Sequence, residues 1–385
     1  MKKRSVLTIL YLTSFFYSLR VAIPAYLNSS FLGQILPDRF VGYVYTCGAL
    51  LTLILLLFLP KILARFGVYK LAVTFLSLGV ISILGLAFLH GSILLIGLFL
   101  TMLLSTTVCY LCFDIFLEDS SEDDSTGKTR SIFFTGLNIA WVFAPTLAGL
   151  LMSGSNNFSN VYITASLLTL FTLLVIAWSM RNFKEPKCTN PSIIFAFKQT
   201  YLNKNLSGIF WAVFLLQIFY SWMVIYTPIY MNKYIGFSFA EMGPMFTIML
   251  LPFILFQIPF GKLADKVMGE KELLIFGFLV MSVSVIMISF LEVKSFIIWV
   301  IVLFFTRVGA SAVEVLSESY FFKNINSSDT GLISVFRMAN PLAYVIGPAL
   351  FSVLLVWFDM KYIFIGVGIS MLLGIWTVSR IKDTK

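Results

Sequence analysis

Six ionisable side chains lie within long apolar stretches of the sequence, three of them basic and three acidic: Arg20, Arg307, Arg337, Asp114, Glu314 and Glu318. An ionised group in such surroundings costs roughly 2.5 kcal/mol or more unless it is paired or hydrated. Burial favours the protonated form of a carboxyl group, whereas a neighbouring arginine favours the carboxylate. The chemistry that these residue types offer is therefore reversible proton binding, driven by making and breaking ion pairs.

Four polar residues share a helical spacing near the end of one apolar stretch. Arg307, Ser311, Glu314 and Glu318 follow one another at i, i+4, i+7 and i+11, which places them along one stripe of a helix that can face water. Counted from the centres of their helices, Glu314 and Arg337 lie at the same depth, so we expect them to pair. The hypothesis is that Glu314 takes up and releases the proton and that Arg337 is its counter-charge. A permanent structural salt bridge is the alternative.

The elements that must position these side chains are long apolar segments. The chain is 59% apolar and 12% charged, whereas soluble domains average about 25% charged residues, so a soluble fold is excluded. A spanning helix needs about 20 mainly apolar residues. The sequence predicts twelve such helices, and the first is interpreted as a membrane helix rather than a signal peptide. Their approximate bounds are 5–28, 41–60, 69–90, 92–117, 130–153, 159–180, 206–231, 241–260, 272–291, 296–319, 331–356 and 360–379.

The positive charges indicate how these helices cross the membrane. Most of the 27 lysines and arginines fall in the connections on the same side as the two termini, as is typical of cytoplasmic loops. The sequence therefore predicts an integral protein of a bacterial inner membrane with both termini in the cytoplasm. The formal net charge of +9 is a signal of topology, and no nucleic-acid partner is expected.

The two halves of the chain repeat one another. Tyr17-Ser18-x-x-Val21 and the following Pro24 recur as Tyr220-Ser221-x-x-Val224 and the following Pro228, at an offset that grows by one residue before the proline. Parallel six-helix repeats that hold a substrate between them are a recurrent plan of transporters. The predicted domains are an N-terminal bundle over 1–181, a cytoplasmic linker over 182–204 and a C-terminal bundle over 205–385.

A loop motif follows the second helix of each half. After helix 8 the chain reads Gly261-Lys262-Leu263-Ala264-Asp265-Lys266, and Gly269 comes three residues later. This loop resembles the G-x-L-A-D-[RK]-x-G-[RK]-[RK] motif of the major facilitator superfamily, with one extra residue before the second glycine. After helix 2 only Arg65 and Gly67 of the motif remain. The resemblance implies two six-helix bundles around a central cavity, alternating access, and a gating latch through Asp265; the alternative is that Asp265 only caps a loop.

In that family helices 1, 4, 7 and 10 line the cavity, which suggests roles for further residues. Arg20 is expected to attract an anionic or polar group of the substrate, or else to pair with a carboxylate across the cavity. Asp114 is expected to meet Lys128 or Arg130. Aromatic and amide side chains expected to supply stacking and hydrogen bonds, or else only packing, are Tyr17, Gln217, Tyr220, Trp222, Asn138, Trp141 and Asn340.

The function expected from these features is secondary active transport of a small molecule, coupled to protons. Helix 5 carries Ala144-Pro145-x-x-Ala148-Gly149, a weakened form of a motif of drug antiporters. Pro348 occupies the equivalent place in helix 11, which favours a shared bend. Efflux is favoured over import of sugars or organic anions by symport or uniport, and a non-transporting receptor or assembly protein is the other alternative. The sequence predicts no cofactor, metal or enzymatic activity, and Cys109-x-x-Cys112 is interpreted as part of a helix; we expect a functional monomer.

Overall fold

Helices make up all regular structure in the computed structural model of the chain, which describes residues 3–120, 126–153, 157–181, 183, 193–325 and 330–382. In the first half of the chain the helices are α1 (Lys3–Ala25), α2 (Asn28–Ile35), α3 (Asp38–Phe66), α4 (Val68–Phe88), α5 (Ser92–Ser120), α6 (Thr126–Leu151), α7 (Ser159–Ser179) and α8 (Ile193–Leu202). In the second half they are α9 (Lys204–Ile229), α10 (Phe239–Leu250), α11 (Pro252–Leu255), α12 (Gln257–Leu263), α13 (Glu270–Ile288), α14 (Phe296–Lys323), α15 (Thr330–Leu354) and α16 (Met360–Ser379).

Each of the twelve apolar segments predicted from the sequence coincides with helical structure. Ten helical stretches among the described residues are long and apolar enough to cross a membrane. The other two predicted segments correspond to α6, whose apolar part is Thr135–Leu151, and to α15, which contains Arg337 and Asn340. The eighth segment is interrupted twice, at Leu251 directly before Pro252 and at Phe256 three residues before Pro259, because proline has no amide hydrogen to continue the helical ladder.

The helices group into two compact units. Unit 1 comprises residues 1–37, 50–189 and 242–244, and unit 2 comprises residues 38–49, 190–241 and 245–385. In unit 1, α1 packs against α5, α6 and α7, and α4 packs against α5 and α7. In unit 2, α9 packs against α14, α15 and α16, and α13 packs against α14 and α16. The same scheme of helix pairs therefore holds in both units, as the sequence repeat requires.

The glycine turns after α3 and after α12 also correspond to one another. Gly67 and Gly269 have φ angles of 79° and 78°, a region that favours glycine because a side chain would be strained there. The amide of Gly67 donates to Leu63 O, four residues back, whereas the amide of Gly269 donates to Ala264 O, five residues back. A π-helical turn over Ala264–Met268 thus absorbs the extra residue of the second loop.

Candidate functional site

Three hydrogen-bonded pairs connect three helices of unit 2. The Tyr220 hydroxyl on α9 donates to Glu314 Oε2 on α14 at 2.5 Å. Asn340 Nδ2 on α15 donates to Gln217 Oε1 on α9 at 2.7 Å. The guanidinium of Arg337 on α15 donates to both carboxylate oxygens of Glu318 on α14, with 3.2 Å between Nη2 and Oε2. We call the six residues Gln217, Tyr220, Glu314, Glu318, Arg337 and Asn340 the three-helix polar network.

Helical spacing explains why each helix contributes two members of this network. Gln217 and Tyr220 are three residues apart on α9, Arg337 and Asn340 are three apart on α15, and Glu314 and Glu318 are four apart on α14. Residues at these separations lie on the same face of a helix. Every member is at least partly exposed, so the network lies at an accessible face of unit 2 rather than in its interior.

The pairing of Arg337 differs from the one predicted. Arg337 binds Glu318, whereas Glu314 accepts its hydrogen bond from Tyr220. The predicted pair of Glu314 with Arg337 is therefore wrong in this structure. The two glutamates are one helical turn apart, about 6 Å along the axis. This distance is too small to be resolved when depth in the membrane is estimated by counting residues from the predicted helix centres.

Arg307 occupies the buried end of the predicted stripe on α14. Its side chain is 1% exposed, and its guanidinium carbon lies 5.0 Å from the ring centroid of Phe219 and 5.4 Å from that of Tyr220. Its Nε and Nη1 atoms have no hydrogen-bond partner among the described residues. Ser311 is buried as well and donates to Val308 O of its own helix. Only the Glu314–Glu318 end of the stripe is thus open, not the whole stripe as predicted.

A second buried arginine lies in unit 1. Arg20 is 2% exposed, its Nη2 donates to the hydroxyl of Tyr17, and its guanidinium carbon lies 4.3 Å from the centroid of the Tyr17 ring. Tyr17 is also fully buried and packs edge-on against Tyr110 and Phe113. The partner of Arg20 is a tyrosine rather than the carboxylate considered above. Neither Arg20 nor Tyr17 is open to a substrate in this structure, so their role in substrate binding stays a prediction.

The remaining predicted side chains differ in accessibility. Trp222 is fully buried and stacks on Tyr226 with ring centroids 4.5 Å apart, so it belongs to the packed interior rather than to a cavity wall. Asn138 is exposed and Trp141 is partly exposed, three residues apart on α6. Asp114 is exposed on α5. The side chains of Lys128 and Arg130, its predicted partners, lie outside the described residues.

The loop predicted to act as a gate is only partly described. Lys266 and Arg65 are exposed, and Gly261 lies in α12. The side chain of Asp265 lies outside the described residues, so the latch stays a prediction.

Glu270, which the sequence analysis did not single out, directly follows Gly269 at a position where the family motif has a basic residue. It is fully buried and accepts hydrogen bonds from Lys323 Nζ at 2.6 Å and from Ser319 Oγ at 3.0 Å. This departure from the motif was a signal that could have found it.

Comparison with known proteins places these features in a family. The profile of the Major Facilitator Superfamily matches residues 6–244 and 209–384. No curated protein sequence is significantly similar to the chain.

Solved structures of several transporters share the fold. A mutant of the nucleoside transporter NupG has a TM-score of 0.77 at 11% sequence identity, over 97% of this chain and 99% of that chain. A bacterial homologue of the human lysosomal transporter Spinster, in an inward-facing unoccupied conformation, has a TM-score of 0.71 at 11% identity, over 98% and 95% of the two chains. The peptide transporter POT in complex with sulfate has a TM-score of 0.73 at 15% identity, over 97% and 94%.

These matches confirm the predicted family and the predicted all-helical membrane fold of two six-helix bundles. They also confirm the expectation of a transporter rather than an enzyme. Because the family profile extends from residue 6 to residue 384, this chain belongs to the major facilitator superfamily of membrane transporters.

Proposed function

We propose that this membrane transporter couples the movement of a small molecule to protons by alternating access, and that Glu314 carries the proton. The observation that supports this role is that the two carboxylates of the three-helix polar network have different partners. Glu318 is neutralised by Arg337, whereas Glu314 has no ion pair among the described residues and holds one hydrogen bond, from Tyr220. Glu314 is thus the network carboxylate whose charge is not already fixed by a salt bridge.

The surroundings of Glu314 suit reversible proton binding. The side chain is partly exposed on the open end of the stripe, so protons can reach it. An unpaired carboxylate within a spanning helix is costly, which favours the protonated form until water or a positive charge approaches. Rocking of the helices that changes the distance from Glu314 to Tyr220 or Arg307 would change the proton occupancy, as coupling requires.

Two directions of transport remain candidates. Efflux is the first, although the equivalence of Pro145 and Pro348 favours a shared bend over an antiport-specific role for the motif around Pro145. Import of an organic anion together with a proton is the second candidate. The specific observation in its favour is Arg307, a buried cation whose Nε and Nη1 find no acceptor among the described residues. The distribution of lysines and arginines supports the proposal that both termini lie in the cytoplasm of a bacterial cell, and we propose that the monomer is the working unit.

Reconstitution in liposomes tests the coupling. The full chain is incorporated with a pH-sensitive dye inside the vesicles, a pH gradient is imposed, and dissipation is recorded for a panel of drugs, sugars and organic acids. Glu314→Gln should abolish gradient-driven accumulation but spare exchange of substrate for substrate, because a glutamine cannot carry the proton. Glu292→Gln is the matched control, since Glu292 is 72% exposed in its pair with Lys361.

The two ways in which this proposal can fail are distinct. Unchanged proton coupling in Glu314→Gln would exclude Glu314 as the coupling group. Absence of flux for every compound, from folded protein in sealed vesicles, would favour the non-transporting receptor or assembly protein.

A further inference from the structure

The exposed face of α16 changes in character along the helix, which is long and apolar enough to cross a membrane. Spacings of i, i+3, i+4, i+7 and i+11 place five residues on this face: Ile369, Leu372, Leu373, Trp376 and Arg380. The first four side chains are 41–57% exposed, and Arg380 is exposed as well. The face therefore leads from aliphatic side chains through an indole ring to a guanidinium. Acyl chains, interface and phosphate follow in the same order along a phospholipid.

The guanidinium of Arg380 lies over the ring of Trp376, with its carbon 3.6 Å from the ring centroid. The π face attracts the positive charge but accepts no in-plane hydrogen bond, so the N–H groups stay available to an acceptor. Arg380 has no carboxylate partner among the residues that the structure describes. A guanidinium held in this way suits a phosphate group, which can accept two parallel hydrogen bonds from it.

Two lysines lie where the end of α16 meets the start of α9. Gly208 of α9 packs so closely on this end that an added Cβ would lie 2.5 Å from Ile381 Cγ2. Nearer the start of α9, Asn205 Oδ1 accepts a hydrogen bond from the amide of Lys382 at 3.0 Å. Because Lys204 directly precedes Asn205, Lys204 and Lys382 belong to two segments that bond to each other, and both side chains are exposed.

We call Lys204, Arg380 and Lys382 the basic rim. None of the three has a carboxylate partner within the described part of the chain, and neither α9 nor α16 contains an acidic residue. Positive charges on adjoining segments repel one another unless an anion lies among them. The partner that fits this distribution of charge is therefore anionic, and the apolar face that continues along α16 indicates a partner with hydrocarbon chains.

We propose that the basic rim and the exposed face of α16 bind an anionic phospholipid. Its phosphodiester accepts hydrogen bonds from Arg380, and its acyl chains lie along Leu373 and Ile369. Trp376 is the positioning residue, because its ring holds the guanidinium. In the topology proposed above, the rim lies on the cytoplasmic side of the membrane, where anionic lipids attract basic residues. This binding is separate from the transport of a substrate and goes beyond the proposed function.

A matched arginine follows α7, the last spanning helix in the first half of the chain. Arg181 comes three residues after Trp178, which is 75% exposed, and Arg181 is exposed too. Unlike Arg380, Arg181 has no contact with a ring in the part of the chain that the structure describes. Arg181→Gln therefore removes the same charge from a similar place without removing a guanidinium that is held over a ring.

Lipid binding to the purified full chain in detergent tests the proposal without any transport measurement. The probes are phosphatidylglycerol and phosphatidylcholine with identical acyl chains. Mass spectrometry of the intact complex counts the bound lipids, and the rise in unfolding temperature gives the apparent affinity. Phosphatidylglycerol should bind more tightly, and its advantage should shrink at high salt because the charges are screened. Soluble glycerol phosphate, which has the charge but no acyl chains, should not bind at the same concentrations.

Variants of the stacked pair should weaken the binding of phosphatidylglycerol and leave that of phosphatidylcholine unchanged. Arg380→Gln should lower the affinity by about fivefold, the contribution of one basic residue near an anionic surface. Arg380→Lys keeps the charge but loses the planar donors, so it should fall between. Trp376→Leu should also weaken binding, and adding it to Arg380→Gln should change little more, because both act through one contact.

Each alternative has its own outcome. A loss of affinity in Arg181→Gln as large as that in Arg380→Gln would show general attraction of basic residues to anionic lipid, and would overturn the site. Equal affinity for the two phospholipids would do the same. Stabilisation by glycerol phosphate or by a hexaglutamate peptide, with none by phosphatidylglycerol, would assign the rim to a soluble partner. Arg380 and Trp376 are both exposed, so their replacement should leave the chain folded.

Discussion

Tyr17 and Tyr220 hold the same place in the sequence repeat, and each lies against the guanidinium of a buried arginine. The guanidinium carbon of Arg20 is 4.3 Å from the Tyr17 ring centroid, and that of Arg307 is 5.4 Å from the Tyr220 ring centroid. The two hydroxyls bind different partners. Tyr17 accepts a hydrogen bond from its arginine, whereas Tyr220 donates to a carboxylate, that of Glu314. The tyrosine is therefore present in both repeats, but its hydroxyl is bonded to a buried arginine in unit 1 and to a partly exposed carboxylate in unit 2.

Removing these two hydroxyls should have different consequences. Tyr17→Phe deprives the buried Arg20 of a hydrogen-bond acceptor and should lower the free energy of unfolding by about 1–3 kcal/mol. Tyr220→Phe should cost much less stability, because Glu314 is partly exposed and can turn to water, but it should shift the pH dependence of transport. Unfolding in detergent measures the first effect, and pH-gradient dissipation in liposomes measures the second.

Tyr201→Phe is the control for both measurements, since Tyr201 is 79% exposed on α8. Equal losses of stability in Tyr17→Phe and Tyr220→Phe would contradict the distinction between the two sites.

Removing Lys323 from its ion pair with Glu270 should lower the free energy of unfolding more than removing the charge of Glu270. Lys323→Met removes the ammonium group that is paired with the fully buried Glu270 carboxylate, and should cost about 3 kcal/mol of unfolding free energy. Glu270→Gln should cost about 1 kcal/mol, because Lys323 is 41% exposed and its ammonium group can return to water.

Lys361→Met provides the comparison with an exposed ion pair. Its partner Glu292 is 72% exposed, so the change should alter stability by no more than about 0.5–1 kcal/mol. If Glu270→Gln proved as harmful as Lys323→Met, the cost would come from packing around position 270 rather than from an unpaired buried charge.

The positions of the spanning helices and the family of the chain could be predicted from the sequence, because both depend on local properties. The length of apolar runs sets the number of spanning helices, and the loop Gly261–Gly269 carries a motif that few other loops share. The extra residue before Gly269 was visible in the sequence, but nothing local indicated that a π-helical turn would absorb it.

Partners and burial of individual side chains were not predictable in the same way. Arg337 binds Glu318 rather than Glu314, because a difference of one helical turn is set by how α14 and α15 pack. Trp222 belongs to the interior because α9 is rotated to direct it toward Phe351 on α15 and Phe364 on α16. Both outcomes depend on helix rotation and tilt, which a sequence rich in apolar residues on every face does not specify.

Glycine contacts with proline carbonyls recur in the two units. In unit 1 a Cβ added at Gly243 would lie 2.5 Å from the carbonyl oxygen of Pro145, and in unit 2 one added at Gly42 would lie 2.6 Å from that of Pro348. The two prolines are equivalent in the sequence repeat. Gly42 also lies against the hydroxyl of Tyr226, which donates to the same carbonyl of Pro348 at 3.1 Å.

Replacing a glycine within a helix by alanine usually stabilises a protein. Replacing Gly42 should instead destabilise this one. Gly42→Ala should lower the free energy of unfolding by about 1–3 kcal/mol, because the added methyl group meets backbone that cannot yield. Gly366→Ala lies on an exposed face of α16, where the added carbon has no described atom within 4 Å apart from its chain neighbours and its own helix backbone, and should instead raise it by about 0.5–1 kcal/mol. Adding Tyr226→Phe to Gly42→Ala should recover part of the loss, because it removes the side-chain oxygen nearest to the new methyl group. Unfolding of the four purified proteins in detergent measures all three differences, and a Gly42→Ala protein as stable as the native chain would show that α3 can move away from Pro348 at no cost.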